Sequence, residues 1–233
     1  MLSLIIPTYQ ERDNLAPLFA RLRPVLASME PGAELLVVDG ASPDGTAQVA
    51  RRLLSDLPSA RVVELPRGCD LAQAVREGIR LAAGDAIGVM DADLSHPPEV
   101  LPQLVAAVRA GSDVAVASRY VSGGKAENWP WHRRAISRAA NALARPLVRV
   151  ADATSGYFVC RASLVKSLPL GTRGFKVLLD ILATAPIGTV HEIPYTFTDR
   201  RYGMSKLGVS ALGRYLTQLA RLYVRRRSHE PVV

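Results

Sequence analysis

The sequence predicts an α/β fold built on a mostly parallel sheet. Short apolar runs alternate with segments of helical length through the first half of the chain, and strands spaced this way pair in parallel through right-handed crossovers. The run Ala86-Ile87-Gly88-Val89-Met90 stays apolar throughout and then breaks into Asp91-Ala92-Asp93. That is the pattern of a strand buried on both faces whose last residues emerge at the sheet edge. Neither a linker nor a repeat interrupts the 233 residues, a length that suits one large domain with a real core.

The elements follow in order. Residues 2–6 read as a strand and 14–29 as a helix. Residues 35–38 are strand-like, and the turn signal Pro43-Asp44-Gly45 leads into a helix over 46–57, with Thr46 as its expected N-cap. A strand at 60–64 and a helix at 70–82 come next. The strand 86–90 is followed by Pro97-Pro98, which forbids a continued ladder, and then by a helix at 99–110. Residues 114–117 form another strand. Beyond Arg119 the rhythm breaks into a Gly/Trp/Pro-rich loop at 122–131. A basic helix follows, with five arginines (Arg133, Arg134, Arg138, Arg145, Arg149) and no acid between His132 and Arg149. A short strand near 156–160, a helix near 176–184 and a strand near 190–193 complete the body. The segment 205–227 is amphipathic: Leu212, Tyr215, Leu216, Leu219, Leu222 and Tyr223 share one stripe, with Arg214, Arg221 and Arg225 nearly opposite. It reads either as a helix packed on the core or as one lying on an anionic membrane surface.

Composition narrows the classes. Apolar residues make up 48%, so the chain is globular rather than disordered, and no apolar run is long enough to cross a bilayer. The first strand begins at once, leaving no room for a signal peptide. The two cysteines, Cys69 and Cys160, match no metal or disulfide spacing, which fits a reducing cytosol. A net charge of +8 favours anionic partners. The basic segments lack interleaved aromatics or a recognition motif, so nucleic acid is not the expected partner.

The chemistry concentrates where strands end. On an extended chain Asp91 and Asp93 point the same way, and ligands of open α/β sheets bind at the carboxyl edge. Two such carboxylates suit Mg²⁺ or Mn²⁺ with phosphate oxygens completing the shell; a lone Asp-x-Asp is more often a solvated acidic turn, and the position at a strand's carboxyl end is what favours the ligand reading. Pro7-Thr8-Tyr9-Gln10-Glu11 follows the first strand, where Tyr9 can stack on a base and Glu11 can accept from its N–H groups. Asp39 ends the second strand, able to hold a ribose or base edge. No Gly-x-Gly-x-x-Gly follows the first strand, and no Gly-Lys-Ser/Thr loop is present, which argues against dinucleotide and P-loop sites.

In order along the chain stand Pro7–Leu15, Ser42-Pro43-Asp44-Gly45-Thr46, Asp91–Pro98, Ser118-Arg119-Tyr120, Gly123-Gly124, Ser137-Arg138 with Asn141, and Thr154-Ser155-Gly156. Gly174-Phe175-Lys176 and Asp199–Leu207 close the series. The set resembles the inverting family 2 glycosyltransferases of the GT-A fold, specifically the dolichyl/polyprenyl-phosphate mannose synthases in their short form without C-terminal transmembrane helices. The resemblance implies a GT-A catalytic domain over residues 1–204, with 205–233 a basic amphipathic helix of the same domain. It implies transfer of a hexose, typically from GDP-mannose, to a polyprenyl or dolichyl phosphate. Pro7, Tyr9, Glu11 and Asp39 would line the nucleotide pocket, and Asp91 and Ala92 would contact the donor. Asp93 would bind Mg²⁺ or Mn²⁺ with Ser95 beside it, while Arg200 and Lys206 clamp the diphosphate. Arg119, Arg133 and Ser137 would meet the acceptor phosphate. The implied setting is peripheral, on the cytoplasmic face of an anionic membrane, with a small membrane protein as a further partner.

The chain departs from the family pattern at Gly40, where a second Asp is usual, at Asp70 and Ala72, where glycines are usual, and at Gln10, where Asn is usual. These positions bear on nucleotide preference. They leave open a transferase using a UDP-sugar, or a catalytically weakened relative acting as a binding subunit. No general base is expected, because a phosphate monoester with a second pKa of about 6 is already ionised at neutral pH. His96 is expected to be structural.

Overall fold

A computed structural model describes residues 1–29, 32–166, 168, 176–199 and 209–227. Its centre is a sheet of seven strands in the order β3-β2-β1-β4-β7-β5-β8. These are β1 (Leu2–Thr8), β2 (Ala33–Asp39), β3 (Ala60–Glu64), β4 (Ala86–Val89), β5 (Val114–Ser118), β7 (Phe158–Arg161) and β8 (Val190–Pro194). The β1–β2, β2–β3, β1–β4 and β5–β8 pairs are parallel, as the alternation predicts. One strand breaks the rule: β7 slots antiparallel between β4 and β5. A second sheet pairs β6 (Lys125–Ala126) with β9 (Thr196–Phe197); both are too short to register in the sequence pattern.

Helices cover both faces. Leu4 and Ile6 of β1 face a core shared with α1 (Arg12–Ala27), α2 (Thr46–Leu53) and α4 (Leu101–Arg109), whereas Ile5 faces a second core with α3 (Leu71–Leu81), α6 (Ala162–Val165) and α7 (Val177–Thr184). Burial on both sides is why these strands carry uninterrupted apolar runs. Most helix boundaries move inward from the expected ones, although α1 begins two residues earlier, at Arg12. α2 stops at Leu53, and its N-cap is Gly45 at φ 86° rather than Thr46, with the Asp44 carboxylate accepting from the Thr46 N–H. A 3₁₀ turn at Pro98–Val100 precedes α4. The basic helix α5 (Trp131–Ala144) ends before Arg145 and Arg149.

The last helix, α8 (Val209–Arg227), docks on the body. Tyr215, Leu219 and Leu222 join Ala144, Val148, Val150, Ala153 and Leu179 in a third small core, and Tyr215 Oη donates to the Ala140 carbonyl. Burying side chains of this size contributes about 1.5–3 kcal/mol each, enough to hold the helix against α5 and α7. The predicted apolar stripe therefore splits: Tyr215, Leu219 and Leu222 face inward, while Leu212 and Leu216 stay 48% and 47% exposed. Arg221 is not a free surface charge either, since it pairs with Asp180 of α7 at 3.0 Å. Among the described residues no helix is long and apolar enough to cross a membrane.

Candidate active site

A cavity of about 540 Å³ opens at the carboxyl edge of β1, β2 and β4. It lies where the strand order turns back on itself beside β1, the usual crevice of open α/β sheets. Among the described residues, three of the four non-glycine residues with left-handed backbones, Gln10, Ala41 and Leu94, lie in the loops that leave these strands. Such a backbone is uncommon for residues with a side chain, and here it turns each loop sharply past the sheet edge.

One wall is built by Pro7, Tyr9, Glu11, Gly40 and the start of α3 from Cys69 to Ala72. Pro7, Tyr9 and Glu11 thus stand where the sequence places them, and Glu11 accepts from Asn14 Nδ2 at 2.6 Å. Asp39 requires a correction. Its carboxylate is fully buried and accepts from Thr8 Oγ1 at 2.8 Å and from the Ser42 N–H at 2.8 Å, so it ties the β1 and β2 loops together and does not line the cavity. Asp70 has a local reason: with Gln73 it forms a capping box at the N-terminus of α3.

The floor is Asp91, Ala92, Asp93, Ser95 and His96. β4 ends at Val89, so Asp91 and Asp93 share the cavity through a turn rather than through an extended strand. Asp93 Oδ1 accepts from the Ser95 N–H at 3.1 Å and from Ser95 Oγ at 2.5 Å, which sets a carboxylate and a hydroxyl side by side. Among the described residues no three His, Cys, Asp or Glu side chains cluster as a metal site. The Asp93/Ser95 pair suits an ion that takes the rest of its shell from phosphate oxygens and water. His96 is buried, stacks on Tyr157 at 5.1 Å and accepts the Asp91 N–H on Nδ1 at 3.1 Å. Nδ1 therefore carries no proton, and the neutral ring bears it on Nε2. Burial lowers the imidazole pKa against the pull of Asp91 and Asp93, keeping that neutral form. Gly156 lies opposite, where an added Cβ would come within 2.9 Å of Asp91 Oδ2 and 3.2 Å of His96 Cε1.

The far wall is basic. Arg119 is buried and gripped by Asp152, with Nη2 also reaching Thr154 Oγ1 at 3.0 Å. Burial pulls its pKa down, but the hydrogen bonds it donates to the Asp152 carboxylate, with that group's charge, outweigh burial and raise it; Asp152 is correspondingly lowered by Arg119 despite burial. Arg133 lies over Trp129 at 4.2 Å and pairs with Asp199 at 2.6 Å. Among the described residues Arg133 Nε and Trp129 Nε1 are buried donors without a hydrogen-bond partner, and both residues line the cavity. Ser137 requires a second correction: its hydroxyl accepts from Tyr120 Oη at 2.7 Å, and it is not part of the lining. Arg200 and Lys206 lie outside the described residues. Trp129, Lys176 and Arg214 also line this wall, and Asp152 stands behind it, holding Arg119. The sequence assigns none of the four a role: Lys176 alone stands in a motif, and helical periodicity puts Arg214 on an outward basic face.

A basic wall opposite a carboxylate–hydroxyl pair, in the crevice of a mostly parallel sheet with one antiparallel insertion, defines a glycosyltransferase of the GT-A fold. Residues 3–168 match Glycosyl transferase family 2, and the chain belongs to that family. It is 43% identical to a dolichol-phosphate mannosyltransferase of Pyrococcus furiosus over 94% of this chain, although it spans only 63% of that protein's length. It is 37% identical to the polyprenol monophosphomannose synthase of Mycolicibacterium smegmatis, covering 96% of this chain and 87% of the relative. Among solved structures, mannosyl-3-phosphoglycerate synthase from Rubrobacter xylanophilus superposes with a TM-score of 0.70 at 19% identity, covering 100% of this chain and 75% of the other. Glucosyl-3-phosphoglycerate synthase from Mycobacterium tuberculosis, solved with Mn²⁺, UDP and glucosyl-3-phosphoglycerate, gives 0.68 at 20% identity, covering 97% and 79%.

Proposed function

We propose that this chain transfers a hexose, foremost mannose from GDP-mannose, to a polyprenyl or dolichyl phosphate with inversion at the anomeric carbon. The observation that carries the acceptor reading is the pair of buried donors left unsatisfied among the described residues, Arg133 Nε and Trp129 Nε1, in a basic cavity wall. Buried N–H groups are rarely left orphaned, and a phosphate oxygen is the acceptor this wall is built to receive. The relatives named as dolichol-phosphate mannosyltransferases and polyprenol monophosphomannose synthase supply the sugar and the lipid.

In this reading a phosphate oxygen of the acceptor attacks the anomeric carbon as the bond to the nucleoside diphosphate breaks, and the departing diphosphate keeps the bonding electrons. Tyr9 and Glu11 hold the base, and Asp91 and Ala92 face the sugar. Arg133, with Arg119 held rigid by Asp152, orients the incoming phosphate. Asp93 and Ser95 would hold a divalent ion, whose chemistry is to offset charge on the leaving diphosphate. Deprotonation of the nucleophile needs no side chain, so proximity and electrostatics carry the rate. A lipid acceptor must be met at a membrane, and two basic helices expose large apolar side chains: Trp131, Ile136 and Leu143 on α5 and Leu212, Leu216 and Val224 on α8. Such a surface supports peripheral attachment to anionic lipid on the cytoplasmic face and is where a small membrane protein would dock.

Transfer of radiolabelled sugar from GDP-, UDP- and dTDP-sugars to polyprenyl phosphate, with Mn²⁺ and with chelator, tests the reading. GDP-mannose is expected to be the best donor, and Asp93→Ala to abolish the Mn²⁺-dependent rate. A preference for UDP-sugars would move the donor assignment to the alternative left open by Gly40. Full activity in Asp93→Ala would reject the metal role.

A further inference from the structure

Tyr195 stands at the corner between the two sheets, after β8 and before β9. Both of its main-chain groups are tied down. Its N–H donates to the carbonyl of Ser118, the last residue of β5, at 3.2 Å, and its own carbonyl accepts from the Lys125 N–H of β6 at 3.0 Å. The ring is held as well, edge-on to His96, Tyr157 and Phe197 with centroids 5.8, 6.2 and 6.4 Å away. The residue is 4% exposed and lines the cavity. Yet its buried hydroxyl has no hydrogen-bond partner among the described residues. The Ser155 hydroxyl close by is engaged with Tyr157, donating to its carbonyl at 3.3 Å and accepting its N–H at 3.2 Å.

Phenylalanine would fill the same space without the desolvation cost of an oxygen that satisfies nothing in the fold, and buried polar groups in that condition are rare. The surroundings indicate what the oxygen meets. The Arg119 guanidinium lies over Trp129 and Phe197 at 5.3 and 5.6 Å, and Phe197 in turn packs on both Trp129 and Tyr195. The Tyr195 hydroxyl thus belongs to the same aromatic-backed wall as Arg119 and the orphaned Trp129 Nε1. Burial raises the phenol pKa well above its ordinary value; Asp152 and Asp91 add to the rise, while Arg119 and Ser155 oppose it. The group therefore keeps its proton and meets an anion as a neutral donor, not as a base.

We propose that Tyr195 is a catalytic residue whose hydroxyl donates a hydrogen bond to a non-bridging oxygen of the acceptor phosphate beside Arg119. The proton stays on Tyr195 throughout. A neutral donor orients the phosphate without adding positive charge to the wall, so the attacking oxygen keeps its own negative charge. This rests on the polyprenyl-phosphate reading above.

The test compares Tyr195→Phe with the unaltered chain in steady-state transfer, well below both melting temperatures, with acceptor and donor varied separately. Donor affinity and the unliganded melting temperature are measured by thermal shift. Loss of one hydrogen bond to a charged group predicts a roughly tenfold to hundredfold fall in kcat/KM for the acceptor, with donor affinity within about twofold. The unliganded melting temperature is expected to stay level or to rise, because the variant no longer buries an orphaned oxygen. An unchanged acceptor kcat/KM, or a donor affinity that falls as far as the acceptor kcat/KM, overturns the Tyr195 role. A lower melting temperature with both substrates' parameters intact assigns the hydroxyl to the fold and overturns it too. An unaltered chain that transfers to no polyprenyl phosphate removes the underlying reading and this role together, an outcome distinct from an active chain whose variant keeps its acceptor parameters.

Discussion

Asp152 holds Arg119 by three hydrogen bonds: from the Arg119 backbone N–H at 3.0 Å, from Nε at 2.8 Å and from Nη2 at 2.7 Å. Its own loop is fixed in turn, because Glu192 of β8 accepts from the Ala151 and Asp152 N–H groups at 2.7 and 3.1 Å. With Nε and Nη2 taken by Asp152 and Thr154, Nη1 is the donor left to meet a ligand, and holding the guanidinium in one orientation lowers the ordering cost of binding.

Breaking that pair from the acid side leaves a buried guanidinium uncompensated. Asp152→Asn is expected to lower unfolding free energy by roughly 3–5 kcal/mol. The Asp152 carboxyl is held below its usual range by Arg119, in spite of burial. Its contribution is therefore fully present above the unfolded carboxylate pKa of about 4 and is lost as pH falls through the lower folded value. Denaturant midpoints measured against pH should show a constant gap between the two proteins from neutrality to about pH 4, narrowing below it. A gap that persists unchanged into strong acid would mean the pair is not its source.

Gly156 leaves room for Asp91. In Gly156→Ala the new Cβ would press on Asp91 Oδ2 and His96 Cε1, displacing the acid proposed to face the donor by tenths of an ångström or more. A loss of roughly tenfold to a hundredfold in kcat/KM for the donor is expected, with acceptor KM little changed. Equal losses for both substrates would point to general distortion of the cavity instead.

His96 acts on the same acid through the Asp91 N–H. His96→Phe keeps an aromatic ring against Tyr157 but orphans that donor, while His96→Asn retains an acceptor near the position of Nδ1. The Phe variant is expected to lose more donor affinity than the Asn variant. Both should keep an acid limb near pH 6, where the acceptor phosphate takes up its second proton. Disappearance of that limb in His96→Asn would make the imidazole, rather than the acceptor, the titrating group.

Arg133 combines a cation–π contact with Trp129, an ion pair with Asp199 and the unsatisfied Nε. Arg133→Ala is expected to raise acceptor KM roughly tenfold or more and to leave donor affinity near its original value. Isothermal titration with donor alone, set beside acceptor-dependent kinetics, separates the two effects.

Local sequence determined the strands of the main sheet, most of the helices and the loops that leave β1, β2 and β4, because hydrophobic period and turn chemistry are written within a few neighbouring residues. Pro7, Tyr9, Glu11, Asp91 and Asp93 were legible for that reason: each stands just past an apolar run, and topology carries every such edge to one crevice. Tertiary structure alone decided what depends on distant partners. The antiparallel placement of β7 sets Asp152, Thr154 and Gly156 beside β4 and β5, and no periodicity in four residues encodes strand direction. Asp39 carried the signature of a ligand-facing acid, yet its carboxylate is taken up by Thr8 and Ser42. In α8 the apolar stripe was visible, but which half is buried depends on the shape of α5 and α7 beneath it. That docking turns Arg214 toward the cavity and brings Gln218 onto Lys176, a contact across 42 residues of sequence. Such contacts exist only once packing has brought the elements together.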